Sequence, residues 1–167
     1  GITDGTLKAD DRTYCLDCSS ALLAIYYKAG IDLEKCYTGY EGNGVKRLYS
    51  SLRDNKLIYN AKIPAPGDLI FWDNTYDRNE DGEFNDYFAH VGMVVNVDSE
   101  GTITYVHHNY RKGIVLEKMN LLHPHDREFN SPLRMRGSPP APNGQSLASE
   151  LVRVFGRAWK LPKSYWR

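Results

Sequence analysis

The chain has 167 residues, a length that suits one domain with one sizeable core. Its formal net charge is +0 at pH 7, so nothing in the composition argues for nucleic acid as a partner. No apolar run approaches membrane-spanning length, and no basic-then-apolar signal segment opens the chain. Gly1 in place of Met suggests a trimmed chain, from which a signal could have been removed. Aromatics make up 12%, with 12 Tyr, enough to line a groove with rings, although Tyr is also an ordinary strand residue. Nothing specifies an oligomeric state.

Residues 1–13 are polar, with Asp10 and Asp11, and read as a lead-in segment. After Cys18 comes an apolar run with helical spacing: Leu22, Ile25 and Ala29 share a face, with Ala21 and Ala24 beside them. The spacing predicts a helix over 19–29, with Gly30 as its C-cap. Residues 31–44 are loop-like. A second amphipathic helix is predicted over 45–55, with Val45, Leu48, Tyr49 and Leu52 on one face. Residues 57–59 read as a short extended piece, and Ala65-Pro66-Gly67 as a turn.

Four strands are predicted next, over 68–73, 90–97, 102–108 and 114–118. Short turns at 98–101 and 111–113 make the last three antiparallel neighbours. Helices followed by an antiparallel meander give an α+β fold. Residues 123–145 are irregular and proline-rich. A last helix is predicted over 146–158, with Leu147, Leu151, Val154, Phe155 and Ala158 on one face. The 159–167 tail is basic and aromatic; it reads as a solvated tail, with contact to an acidic polymer as the alternative. There is no internal repeat, and residues 1–167 read as a single domain.

Tyr14-Cys15-Leu16-Asp17-Cys18-Ser19-Ser20 carries the sharpest chemical signal. A cysteine in the first turn of a helix sits where the macrodipole and free N–H groups favour an anion. That setting lowers a thiol pKa, and the same N–H groups suit an oxyanion. The plainer reading is that Cys18 is a small buried hydrophobe. Cys15 and Cys36 could pair in an oxidising compartment and leave Cys18 free, or all three thiols could be reduced. Cys15-x-x-Cys18 also invites a redox or zinc reading, but no second such pair follows.

A nucleophilic thiol needs a base, and the base needs an orienting partner. His90 opens one predicted strand and His107 lies near the end of the next. Antiparallel pairing brings those ends together, at a direct cross-strand separation that suits a ring-to-ring hydrogen bond. Alternation puts Tyr105, His107 and Asn109 on one face and Val106 and His108 on the other, so one of His107 and His108 shares a face with His90. A single histidine is more often a satisfied residue than a catalyst. Two at matched strand ends, with a cysteine at a helix start, are harder to dismiss.

Asp17-Cys18-Ser19, Pro66-Gly67-Asp68-Leu-Ile-Phe71, His90-Val-Gly-Met-Val and Tyr105-Val-His107, in that order, resemble the motifs of the NlpC-type cysteine peptidases. These are papain-like bacterial cell-wall hydrolases close to the CHAP amidases. The resemblance spans about residues 14–120. It implies a papain-like core, with Cys18 as nucleophile, His90 as general base and then acid, and His107 as the orienting residue. His108 is the fallback for that last role and Asn109 a more distant one. Tyr14, Asp17 and Ser19 would support the nucleophile, and Ser20 stands where many members have Gly. It also implies hydrolysis of amide bonds in peptidoglycan stem peptides or cross-links, without a catalytic cofactor, by a secreted, periplasmic or envelope protein. Wall remodelling and delivery as a toxin against other bacteria both fit. The insertion before His90 and the proline-rich tail depart from the commoner forms.

That insertion contains Asp77-Arg-Asn79-Glu-Asp81-Gly82-Glu83-Phe-Asn85-Asp86. Oxygen ligands at alternate positions with Gly at the sixth match the first half of an EF-hand-type calcium loop. Asp77, Asn79, Asp81 and the Glu83 carbonyl are the candidate ligands. Phe88 stands where a bidentate Glu is expected, and Asp86 is the substitute. The plainer reading is a solvated acidic loop with an Asp-Gly turn. A bound ion would brace the strand of His90 in a structural role. Two other functions compete with hydrolysis: a non-catalytic, calcium-stabilised domain gripping peptide or glycan, and a redox protein using Cys15 and Cys18.

Overall fold

The computed structural model describes residues 2–3 and 5–167. The reading of Gly1 as the mark of a trimmed chain lies outside them. The lead-in is not an irregular segment: β1 (Ile2–Thr3), β2 (Thr6–Ala9) and β3 (Arg12–Cys15) form a small antiparallel sheet. The pairing of Ala9 with Arg12 leaves Asp10-Asp11 as the two-residue tip. Asp10 takes a left-handed φ of 54°, a conformation that Asp tolerates better than most residues.

Helix α1 spans Cys18–Lys28 and begins one residue earlier than the spacing suggests, because Asp17 caps it through the N–H of Ser20. Apolar side chains nearly surround it, and Ala21, Leu22, Leu23, Ala24, Tyr26 and Tyr27 are all buried. A 3₁₀ turn, Leu33–Tyr37, interrupts the expected loop. Helix α2, Gly44–Asp54, is capped by Asn43. The short strand β4 is Ile58–Tyr59.

The strands β5 (Leu69–Trp72), β6 (His90–Val97), β7 (Thr102–Asn109) and β8 (Gly113–Asn120) run as an antiparallel meander. The predicted 146–158 helix is corrected. Only one turn, α3 (Ala148–Leu151), is helical, and β9 (Val152–Gly156) follows it as a strand between β4 and β5. Pairing with β9 satisfies the free edge of β5, which a helix could not do. The six-stranded order is β4-β9-β5-β6-β7-β8, and the fold is α+β.

Helices α1 and α2 cover one face of the sheet, where Leu22, Leu48 and Leu52 pack on Leu69, Phe71 and Val91. The other face carries Ile70, Trp72, Val94, Ile103, Tyr105 and Met119, packed with Leu151 and Phe155 and with Leu133 from the proline-rich segment. Trp72 lies across this face with its Nε1–H on the Ala148 carbonyl at 3.0 Å. It needs Gly92 beside it: a Cβ there would meet the indole at 2.9 Å and the Val106 carbonyl oxygen at 3.0 Å. The C-terminal tail is docked on the protein rather than free, although most of its residues keep an exposed side. Leu161 is buried, Trp166 bridges to Ile31, and the Arg167 guanidinium reaches Asp10 at 2.6 Å. No helix among the described residues is long and apolar enough to cross a membrane.

Candidate active site

The first residue of α1 and the facing ends of β6 and β7 meet in a cleft of about 330 Å³. Asp17, Cys18, Tyr76, His90, His107 and His108 are among its walls. Asp17 spends its carboxylate locally: one oxygen accepts the Ser20 N–H at 2.8 Å and the Ser19 hydroxyl at 3.3 Å. The half-buried sulfur of Cys18 faces the main-chain N–H groups of Val91, Ser19 and Cys18 itself. Oriented N–H donors at this point suit a developing oxyanion.

His90 and His107 are joined directly, Nε2 to Nδ1 at 2.8 Å, with their rings at 87°. The contact is diagonal rather than directly cross-strand. Continuing the register from the Met93–Val106 pair sets Asn109 opposite His90, and His107 two residues away on the same face. Trp72 is the direct partner of His90 across β5, and their rings lie 5.5 Å apart.

A fourth residue, Glu117 on β8, completes the chain of contacts. Its Oε2 lies 3.3 Å from His107 Nε2, and Lys112 Nζ lies 3.6 Å from its Oε1. Burial pushes the Glu117 carboxyl up, but His107 and Lys112 outweigh it and hold the group below the usual carboxylate range. An ionised Glu117 lies 3.3 Å from His107 Nε2, a charge contact rather than a formed hydrogen bond, and its field favours the His107 proton on Nε2. His107 Nδ1 is left as the acceptor, so His90 donates from Nε2. The unprotonated nitrogen of His90 is then Nδ1, free to act as a base. Sequence reading passed over Glu117. The available signal was alternation along β8, which turns Val115, Glu117 and Met119 toward the face of Tyr105 and His107.

Burial dominates the titration of the cleft. It pushes the Cys18 thiol up to about 11, with the Asp17 carboxylate adding to the shift. It drives His90 down to about 3, helped by His107 and His108. The expectation of a thiol acidified by the helix mouth is therefore corrected: desolvation outweighs the N–H groups. Burial thus biases each group toward its neutral form.

The remaining residues singled out in the sequence fall in different places. His108 lines the cleft from the opposite face of β7, and burial lowers its pKa. Asn109 lines it too, but its Oδ1 accepts the N–H groups of Arg111 and Lys112 and holds the turn. Tyr14 is buried in the core, 6.3 Å from the Tyr27 ring, and does not line the cleft. The Ser19 hydroxyl bonds to Asp17 and lies against Tyr37, and Ser19 itself is not among the cleft walls. Cys15 is exposed, Cys36 is buried, and all three cysteines are free. Tyr76 is an addition to the sequence reading.

Next to the cleft lies a depression of about 730 Å³ that shares Asn109, Tyr110, Leu133 and Met135 with it. Arg111, Lys112, Lys118, Arg134 and Arg136 line it, against the single acid Glu117.

The acidic loop leaves the sheet at Asn74 and returns before His90. Asp77 Oδ2 accepts the Gly82 N–H at 2.9 Å, and Asp81 Oδ1 accepts that of Glu83 at 2.8 Å. Asn79 and Asn85 both donate to Asp81 Oδ2, and Asp86 Oδ1 accepts the Arg78 N–H at 3.1 Å. Among the described residues no three His, Cys, Asp or Glu side chains gather as a metal cluster. The oxygens of Asn79 and of the Glu83 main chain are of other kinds.

A cysteine at a helix mouth thus faces a cleft whose histidines come from an antiparallel sheet, an arrangement that suits cysteine-hydrolase chemistry. The chain belongs to the CHAP family: the CHAP domain matches residues 8–109, from the small N-terminal sheet to the end of the His107 strand. CHAP domains are generally amidase- or peptidase-type hydrolases acting on peptidoglycan, typically in cell-wall-acting and often extracellular proteins. Neither the curated proteins nor the solved structures contain a match to the chain.

Proposed function

We propose that the protein is a secreted or envelope cysteine hydrolase that cleaves amide bonds in the stem peptides or cross-links of peptidoglycan. The observation that carries this reading is the 2.8 Å bond from His90 Nε2 to His107 Nδ1, in the cleft that Cys18 lines. It leaves His90 Nδ1 as a free base. His90 Nδ1 takes the Cys18 proton as the sulfur attacks the amide carbonyl, and the helix-mouth N–H groups receive the oxyanion. The imidazolium that forms is stabilised through His107 by the Glu117 carboxylate. It then protonates the leaving amine, and water releases the acyl group from sulfur. Burial disfavours both charged forms, so the thiolate is expected to form as attack proceeds.

The basic depression supports a carboxylate-bearing stem peptide as the ligand beyond the scissile bond. The test is digestion of purified muropeptides by the wild type and Cys18→Ala, with products read by mass. Amide cleavage by the wild type alone, with the variant folded, is expected. Intact muropeptides after incubation with folded wild type would reject the reading.

A further inference from the structure

We infer that the 77–86 loop is a calcium site that braces two walls of the cleft. The loop carries five carboxylates against one arginine, so in the absence of a cation they repel one another. Spacing alone would suit a solvated loop equally well; burial separates the two readings. Asp86 is only 4% exposed, and its Oδ2 is buried with no hydrogen-bond partner. Its other oxygen is fixed on the Arg78 N–H, which turns the carboxylate toward the first turn of the loop. There Asp77 Oδ1 is likewise buried and unpartnered, and the Asp77 carboxylate also lies against that of Asp81. Carboxylate oxygens removed from water and given no donor are costly unless a cation neutralises them.

The donors are all hard oxygens, which selects calcium over softer metals. Asp77, Asn79 and Asp81 side chains and the Glu83 carbonyl supply the first half of the shell; the carboxylates of Asp77, Asp81 and Asp86 do not gather without the ion, so binding draws them together. Asp86 closes it from the position where the chain re-enters the sheet. With Phe88 at the twelfth position no bidentate glutamate is available, which sets the expected Kd in the weak range of extracellular modules, about 10⁻⁴–10⁻³ M. The ion would act on the cleft mechanically. Asn74 exchanges two hydrogen bonds of 2.7 Å with the main chain of Asp86, and Thr75 and Tyr76, next in sequence, are cleft walls. The other end runs through Ala89, whose N–H is held by the Trp72 carbonyl at 2.9 Å, directly into His90.

The test is titration of the full chain with calcium chloride by calorimetry, with magnesium chloride as the control and thermal melting in parallel. One site filled by calcium, and a Tm rise of about 5–10 °C at a hundredfold excess over Kd, are expected. Asp81→Asn, an exposed position, and Asp86→Asn should each lose the heat and the Tm shift, while Cys18→Ala keeps both. A flat calcium trace from folded wild type at 10-fold above the weakest expected Kd, about 10⁻² M, would overturn the inference. So would folded Asp81→Asn that binds as the wild type does. Neither outcome touches the hydrolase reading, since binding is measured without substrate.

Discussion

His107 stands between His90 and Glu117, bonded to the first through Nδ1 at 2.8 Å and in contact with the second through Nε2 at 3.3 Å. The two nitrogens of one ring thus fix the tautomer of its neighbour. Replacing Glu117 by Gln keeps the shape but removes the charge that settles this order. The Glu117→Gln variant should lose about 10²-fold or more in kcat with little change in KM. Steady-state kinetics on a defined muropeptide measure the split. A merely structural role would instead lower the fraction of folded protein and leave kcat per folded molecule unchanged.

The depressed pKa of His90 has a definite sign in stability. Burial moves it from 6.5 to about 3, so between those values the unfolded chain binds a proton that the folded chain does not. Stability should therefore be full above pH 6.5 and decline as pH falls toward 3, by up to about 1.4 kcal/mol per pH unit from this group. Urea unfolding midpoints across that window check it. His90→Asn should flatten the decline, and the acid limb of kcat/KM in the wild type should lie well below the ordinary imidazole pKa.

Thiol reactivity in the free protein should follow burial and not catalytic role. Cys18, with its thiol pushed up to about 11, should alkylate more slowly at neutral pH than exposed Cys15, and buried Cys36 should be slow too. Peptide mapping after timed iodoacetamide treatment gives the order. Fastest labelling at Cys18 would mean that a resting thiolate exists after all.

Charge in the depression beside the cleft should act on binding. Arg111→Glu and Arg136→Glu, both at exposed positions, should raise KM for carboxylate-bearing muropeptides and leave kcat nearly unchanged. Amidated muropeptides should respond less, and the difference should shrink as salt rises.

Much of the site could be read from short stretches. Asp17 before Cys18 is a local capping signal, and His90 and His107 follow from the strand alternation and the turn between their strands. Glu117 could not be read that way, because its contact depends on how β8 sits against β7 and not on its own neighbours. The thiol's acidity is not legible in sequence for a related reason: the helix mouth shows there, but the burial that raises the thiol does not. In the last third, Leu147, Leu151 and Phe155 mimic a helical stripe. Val152 and Val154 belong to a strand because the edge of β5 is open there, a fact set by residues eighty positions earlier. The tail docks through Trp166 and Arg167 on partners still more remote in the chain, Ile31 and Asp10.

Hydrolysis by this route requires the sulfur of Cys18 to carry the acyl group. Intact-mass and peptide-mapping measurements on acid-quenched turnover of a muropeptide test it directly. A transient mass increase, equal to the acyl fragment, is expected on the peptide containing residue 18 and is expected to be absent in Cys18→Ala. Amide cleavage continuing at the wild-type rate in that variant would contradict it.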